Sequence, residues 1–403
     1  MRRLIFVATE FQIINAINLR LTLFKDDYVG LIVASHHKNF YPYYQKIKDL
    51  SIFDKLYYMP PKRNGIVSYL KNILRNESKN SFIKVVKNEI IELQKSFGKF
   101  FLGEELVLHI DIAGYRIGEY KKYDHFLACC GSDVVKKFYN LFKNDKLCEV
   151  SLLDEGMGTY LTDSIDEDIN GRYIVDSVYV YAPHLYMRNI KDIYKIPALS
   201  HNNIDFTMML NYVFGSKNRT KKHIANKFIF FEQGWPAMPA YLNDLTGIKK
   251  IVLKNSYRKH LREQLINEEQ KNLLEYIIKL LKNYECIVKF HPRTQVKEYY
   301  LKNINVSEFG ECSVPWEVQC CNINIENSVF ITGFSSAVGL YEDTIGYGNN
   351  KYIFIYKLLK NIHFSNLEHE LFKRLKVQYY GRVFIPENKE ELDFILNNMV
   401  NKS

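Results

Sequence analysis

No stretch of this sequence approaches the roughly 20 consecutive apolar residues that a membrane span requires. A transmembrane helix is therefore excluded as an organising element. No two cysteines have the C-x-x-C spacing of a structural metal site, although there are seven of them. Cys129-Cys130 and Cys320-Cys321 are directly adjacent, and sequence neighbours rarely bridge each other. A secretory leader is not expected either. "MRRLIFVATE" opens with basic residues, but its apolar run is too short and alternates like a first strand. These absences together predict a reduced, cytoplasmic protein that meets membranes, if at all, at their inner surface. Neither a P-loop nor a G-x-G-x-x-G fingerprint is found, which argues against a nucleoside triphosphatase and against a nicotinamide enzyme. There is no short-period repeat and no low-complexity tract.

What is present is ordinary in bulk. The 403 residues are 47% apolar and 25% charged, as in a soluble globular protein, and the length fits two domains. Thirty tyrosines and 26 phenylalanines supply cores and material for an aromatic-lined cleft. A formal net charge of +10 favours an anionic partner such as a nucleotide or a lipid surface. The basic residues are dispersed over amphipathic segments. Nucleic-acid binding would interleave them with aromatics on one face, so nucleic acid is not expected.

Strand-like and helix-like runs alternate. "RLIFVA", "VGLIVAS" and "KLYYM" read as strands, with "FQIINAINLRLTLF" and "YPYYQKIKDL" helical between them. A long helical region over residues 65–97 follows, then "LVLHIDIA", a helix near "SDVVKKFYNLF", and the strand "CEVSLLDEG". The polar run "GSKNRTKK" marks a linker. The pattern restarts with "KFIFFEQ", "KKIVL", a long amphipathic helix, "CIVKF", the short helix "SVPWEVQCCN", "SVFITGF" and "KYIFIY", and two helices close the chain. This predicts an α/β protein with mostly parallel sheets, divided into domains at 1–222 and 223–403.

Ligands of open α/β sheets bind at the carboxyl ends of strands, and three unusual clusters fall there. Asp154 and Glu155 leave an apolar strand ahead of Gly156 and Gly158. Carboxylates in that position can act as a general base, one tuned by the other. His291 ends the strand "IVKF", with Pro292 fixing the exit and Arg293 adding a charge suited to phosphate. Gly333 ends "SVFIT", and Ser335 and Ser336 open a helix whose N–H groups favour an anion. A fourth element is Glu317 near the first turn of "VPWE", placed to accept ribose hydroxyls. Each feature alone has an ordinary explanation: an acidic turn, a strand-end histidine, a serine cap, a carboxylate complementing a helix dipole. Jointly they are what a nucleotide-linked donor site needs. "DEDI" holds Asp166 and Asp168 in a metal-like spacing, but in a polar loop away from any apolar strand end, so no metal is expected.

The acidic-acidic-Gly, His-Pro and paired-serine motifs, read here as Asp154-Glu155-Gly156, His291-Pro292 and Ser335-Ser336, resemble those of bacterial sialyltransferases. The opening "LIFVATEFQIINAINL" is similar to glycosyltransferase family 52, the lipooligosaccharide sialyltransferase group. The likeness runs from residue 2 to about residue 340. One position departs: Glu10 stands where the family often has proline. The resemblance implies a GT-B fold, with two Rossmann-like domains facing a central cleft. It implies inverting transfer of sialic acid from CMP-sialic acid to a glycan hydroxyl, a terminal galactose, with no cofactor and no metal. The implied base is Glu155, or Asp154, in the N-terminal domain. The implied leaving-group acid is His291. Ser335, Ser336, Gly333, Pro292, Arg293 and Glu317 fall on the donor side, and Gln12 and Gly156 on the acceptor side. A glycolipid acceptor, contact with the anionic inner membrane surface and a homodimer are further expectations.

Two other readings stand beside this one. The same scaffold could use a UDP-sugar, or transfer polysialic acid or Kdo. A chain of this charge could also be a non-catalytic polyanion- or polysaccharide-binding protein.

Overall fold

A computed structural model describes residues 1–35, 40–59, 122–129, 148–161, 175–188, 190–199, 203–216, 222–232, 254–281, 284–291, 306–311, 313–333, 337–346, 348–361 and 365–400. The chain divides into two compact units. The first is Met1–Leu153, Ser164–Tyr179 and Ile190–Asp192. The second is Asp154–Asp163, Val180–Asn189 and Ile193–Ser403. This differs from a division at residue 222, and it moves the acidic loop after Leu153 out of the N-terminal unit. The expected helices at 65–97 and 132–142 and the runs at 106–113 and 249–253 lie outside the described residues.

The first sheet has seven strands, β1 (Arg2–Val7), β2 (Tyr28–Ala34), β3 (Lys55–Met59), β4 (His125–Ala128), β5 (Glu149–Leu153), β6 (Ser177–Val180) and β7 (Asp192–Lys195), and the first unit is built on all of them but β7, most of which is counted with the second unit. They run in the order β3-β2-β1-β4-β5-β6-β7, and β3 through β6 pair in parallel. The strands read as continuous apolar runs because both faces are covered. Leu4, Ile5, Phe6 and Val7 are all buried. Helix α1 (Glu10–Leu21) begins where the Thr9 hydroxyl accepts the Gln12 N–H at 3.3 Å, and Gln12 through Leu19 are buried. Helix α2 (Tyr41–Leu50) leads into β3.

A polar seam crosses this sheet near the strand starts. The His125 ring bonds the Ser151 hydroxyl at 2.6 Å, Ser151 bonds Ser177 at 2.5 Å, and Ser177 donates to Glu149 at 2.8 Å. Burial and then the Arg3 charge hold His125 down at about 3, so the ring is neutral. It accepts from Arg3 on the other side.

The second unit adds α3 (Met157–Leu161), α4 (Ile204–Phe214), β8 (Lys222–Ala225), β9 (Phe228–Phe231), α5 (Lys254–Leu281), β10 (Cys286–Lys289), β11 (Ser307–Glu308), α6 (Trp316–Asn322), β12 (Ile323–Glu326), β13 (Val329–Thr332), α7 (Tyr341–Thr344), β14 (Lys351–Phe354), α8 (Asn366–Gln378), β15 (Val383–Phe384) and α9 (Lys389–Val400). Its six-stranded sheet runs β11-β10-β9-β13-β14-β15, all parallel. β8 and β12 form a separate parallel pair.

Both sheets therefore share one plan. The first strand is central, the second and third lie to one side, and the fourth onward to the other. That is the Rossmann order, with a switch point between first and fourth strands. The α/β class with two Rossmann-like units is what the sheets show.

One face of the second sheet packs Phe228, Phe230, Val288, Phe290 and Ile331 against Leu274 and Ile277 of α5 and Leu392 and Leu396 of α9. On the other face Trp316 meets Phe231 edge-on at 4.7 Å and also touches Phe330 and Tyr341. α4 joins this unit through α6, where the Asn211 and Asn322 amides exchange bonds of 2.8 and 2.7 Å. These bonds place residues before 222 with the second core. Gly215, in the expected linker, instead caps α4 in a left-handed conformation at φ 70°.

Gly30 of β2 is needed by a close approach: a Cβ there would lie 2.3 Å from the Tyr123 hydroxyl oxygen. Gly30→Ala is expected to destabilise the first unit by about 1–3 kcal/mol in urea denaturation. The loss should shrink in a Tyr123→Ala background, because the two positions share one clash. An equal loss in both backgrounds would refute the packing account.

Candidate active site

β5 is buried from Val150 to Leu153 and ends on two leucines, and then Asp154 follows with no solvent exposure. A carboxyl group buried that deeply needs donors. Three are supplied. Oδ1 accepts the Gly156 N–H at 2.7 Å, and Oδ2 accepts the Tyr160 hydroxyl at 2.7 Å and the Tyr181 N–H at 3.1 Å. Tyr160 in turn accepts the Ala182 N–H at 3.0 Å. The turn this requires puts Gly156 at φ 98°, a conformation that disfavours any side chain.

Glu155 emerges from that turn partly exposed, its N–H bonded to the Thr159 hydroxyl at 2.8 Å. Its carboxylate lies over Gly158, where a Cβ would come within 3.3 Å of Oε1. Of the two acidic residues, Asp154 is thus the buried anchor and Glu155 the group presented outward. Helix α3, which follows, packs on α8 and on the 3-10 turn Ala337–Leu340. The acidic loop and the segment directly after Ser336 are therefore neighbours within one unit. Ser335 and Ser336 themselves lie outside the described residues, as do Pro292, Arg293, Asp166 and Asp168.

Gly333 is described and buried at the mouth of β13. A Cβ there would meet Leu359 at 2.9 Å and Gln270 at 3.8 Å, so a glycine is what lets the chain leave the strand here. His291 sits at the mouth of β10, partly exposed, after fully packed Phe290. Its N–H donates to the buried carboxylate of Glu232 at 3.2 Å, and the Glu232 N–H donates to the Lys289 carbonyl at 3.0 Å. The buried Lys289 ammonium donates to the Phe290 carbonyl at 3.2 Å.

Glu317 is in the first turn of α6, nearly buried. Pro315 caps that helix from outside instead of sitting within its first turn. Burial pushes the thiols of Cys320 and Cys321 up, with the Glu317 charge adding to it, so both stay protonated and act as packing groups. Lys289 also lies within range of Cys320 and pulls the other way.

Glu232 and Lys289 stand beside the mouth of β10 and were not expected there from the sequence. Each had a signal: a glutamate ending the strand "KFIFFE", and a lysine interrupting "CIVKF". In the first unit Gln12 stands at the switch point between β1 and β4. Its Oε1 accepts the Ala8 N–H at 2.7 Å and its amide N–H donates to the Cys129 sulfur. Both ends of the side chain are used to fasten those two strand mouths. No metal-binding cluster of His, Cys, Asp and Glu occurs among the described residues. Among them, too, no helix is long and apolar enough to cross a membrane.

Burial pushes Asp154 up from 3.8 to about 6, with its three donors pulling part of the way back and the Glu155 charge adding to the rise. A carboxyl group whose folded value lies above its unfolded value binds its proton more tightly when folded. Its contribution to stability is fully present below about 3.8 and is lost as pH rises through about 6. The loss corresponds to about 3 kcal/mol. Asp154→Asn is less stable than wild type at pH 4, and that difference should narrow by this order by pH 7 in paired denaturation curves. A difference that widens with pH would mean that the donors, not burial, set the charge state.

No family model matches the chain, and no curated protein is similar to it in sequence. Among solved structures it is similar to MurG of Acinetobacter baumannii, at 10% identity and a TM-score of 0.42, over 100% of this chain and 90% of that one. It is also similar to an alpha/beta-galactoside alpha-2,3-sialyltransferase from a luminous marine bacterium, Photobacterium phosphoreum, at 9% identity and a TM-score of 0.48, over 95% of this chain and 97% of that one.

Proposed function

We propose that the protein is a GT-B glycosyltransferase that moves sialic acid from CMP-sialic acid to a glycan hydroxyl, with inversion and without a metal ion. The observation that carries this reading is the packing of α3 on Ala337–Leu340. It brings the loop bearing Glu155 to the chain segment that begins directly after the paired serines, two motifs about 180 residues apart in the sequence. His291 stands at the mouth of another strand of the same sheet.

The chemistry then divides as follows. The Glu155 carboxylate takes the proton of the acceptor hydroxyl while that oxygen attacks the anomeric carbon of the sialyl group. The bond from that carbon to the phosphate oxygen of CMP breaks. His291 protonates the departing phosphate or neutralises it as a cation. Ser335, Ser336 and the N–H groups of the 3-10 turn behind them bind the phosphate, with Pro292 fixing the strand exit and Arg293 adding a cation. Glu317 accepts ribose hydroxyls. A nucleoside monophosphate carries less charge than a diphosphate, so a histidine, hydroxyls and backbone N–H groups suffice where a divalent ion would otherwise be needed. The acceptor proposed is a terminal galactose of a lipooligosaccharide or capsular glycan.

Incubation with CMP-sialic acid and galactosyl acceptors tests this directly, with UDP-glucose and UDP-galactose in parallel. Glu155→Gln and His291→Ala should each lower CMP release and transfer by about 10²–10⁴-fold while keeping the wild-type melting temperature. Activity should persist in EDTA. Equal CMP release from wild type and both variants would refute the assignment, and turnover of a UDP-sugar alone would move it to another donor.

A further inference from the structure

Two adjacent carboxylates, Glu342 and Asp343, lie on the four-residue helix α7, which begins directly after the 3-10 turn Ala337–Leu340. They bond different parts of the second unit. Glu342 accepts the Tyr352 hydroxyl at 3.0 Å and the Arg382 guanidinium at 2.9 Å, which ties α7 to β14 and to the residue ahead of β15. Asp343 accepts the hydroxyl of Tyr379, the residue that caps α8. Burial and then the Asp343 charge push the Tyr379 phenol above its usual range, so it stays a donor. The same Asp343 oxygen lies 3.7 Å from Nε2 of His184, an ion pair when the imidazole is protonated.

His184 sits in the 3-10 turn Pro183–Leu185. The chain enters that turn through Tyr181 and Ala182, whose N–H groups hold the Asp154 carboxyl and the Tyr160 hydroxyl. Tyr160 in turn donates to Asp154. α8 packs on both this turn and α3. One short path therefore runs from Glu155 through Asp154 and Tyr160 to Ala182 and His184. It crosses to Asp343 and returns along α7 to the turn that follows the paired serines. The field of Asp343 reaches Tyr160 itself: burial and the Asp154 charge push that phenol up first, and Asp343 adds to the rise. All of these residues belong to the second unit. The His184 side chain is 33% exposed, and an ion pair that open to water adds little to stability. Its effect is on distance, to which a reacting geometry is far more sensitive than a fold is.

We propose that His184 and Asp343 are positioning residues, whose pair holds the Glu155 loop at a fixed distance from the turn after Ser336. The kinetic consequence rests on the reading of Glu155 as the base. The mechanical one does not.

Hydrogen exchange of residues 154–161 and steady-state kinetics, both on the full chain, test these two parts separately. His184→Gln and Asp343→Asn should each speed exchange in 154–161 by about tenfold. Each should lower kcat by about 10–100-fold, with KM for the donor held within about twofold. Asparagine at 343 still accepts from Tyr379, so both variants should keep the wild-type melting temperature. The double variant should lose no more than the worse single one, because the two share one interaction. His184→Lys restores a cation and should recover most of both losses. Lys357→Gln breaks an ion pair with Glu387 elsewhere in the unit and should leave both readouts at wild type. Wild-type exchange in both single variants would overturn the proposal, as would faster exchange with wild-type kcat. Equal effects of Lys357→Gln would also overturn it, by making the change a general loss of stability. Should wild type transfer no sugar, the proposed function falls, and the exchange data alone decide whether the pair holds the loop.

Discussion

The buried carboxyl group of Asp154 is the constraint on which the candidate site depends. A carboxyl group taken out of water is destabilising unless its oxygens are bonded. Here the donors come from Gly156, Tyr160 and Tyr181. Satisfying one side chain therefore fixes a tight turn, the start of α3 and the strand exit at residue 181. Burial and then the Asp154 charge push the Tyr160 phenol well above its usual range, so it remains a donor, and its oxygen is left to accept from Ala182. Glu155 has its direction set by this arrangement. It is partly exposed because its neighbour is wholly buried, and the Gly158 position leaves room for its carboxylate.

The second unit supplies a frame for that loop. Parallel strands bring all their carboxyl ends to one edge of the sheet, so residues distant in sequence meet there without any further device. The aromatic set around Trp316 holds α6 against Phe231 and Phe330, next to the strand ends. Buried Glu232 receives the N–H of His291, which fixes the backbone at the point where the histidine leaves the sheet. Removing one partner from a buried polar set of this kind typically costs more than the set contributes when whole. Its value here is in fixing geometry.

Much of this was legible beforehand, for identifiable reasons. "RLIFV", "GLIVA", "FIFF" and "VFIT" are short, nearly continuous apolar runs rich in β-branched and aromatic residues, which favours strands covered on both faces over buried helices. The mouths at Asp154, His291 and Gly333 could be read because polar residues or glycine follow those runs abruptly. Other features could not be read. β4 and β6, "HFLA" and "SVYV", are no longer than "FIFF" and "VFIT", but each opens on a polar residue, which breaks the apolar run at its start. α4 has apolar residues on both sides, which blurs the helical period. The division of the chain was placed late because the polar run at 215–222 looked like a linker. What decides membership is tertiary: the Asn211–Asn322 amide pair and the Leu199 N–H to Thr344 carbonyl bond at 2.6 Å. Neither leaves a local trace.

The buried charges also bear on where an anion could bind. The buried charged residues at β9, β10 and α6 are Glu232, Lys289 and Glu317, so sugar hydroxyls would find acceptors there. Under the proposed reading the ribose of the donor belongs beside Glu317, and the phosphate belongs toward the mouth of β13. There the chain leaves the strand through a glycine, and the sequence next supplies two hydroxyls ahead of the 3-10 turn Ala337–Leu340. His291 leaves the sheet at the mouth of β10, one strand beyond β9 from β13, with its backbone N–H committed to Glu232. Under the proposed reading its imidazole is the acid that meets the leaving group, while its backbone stays bonded to the Glu232 carboxylate.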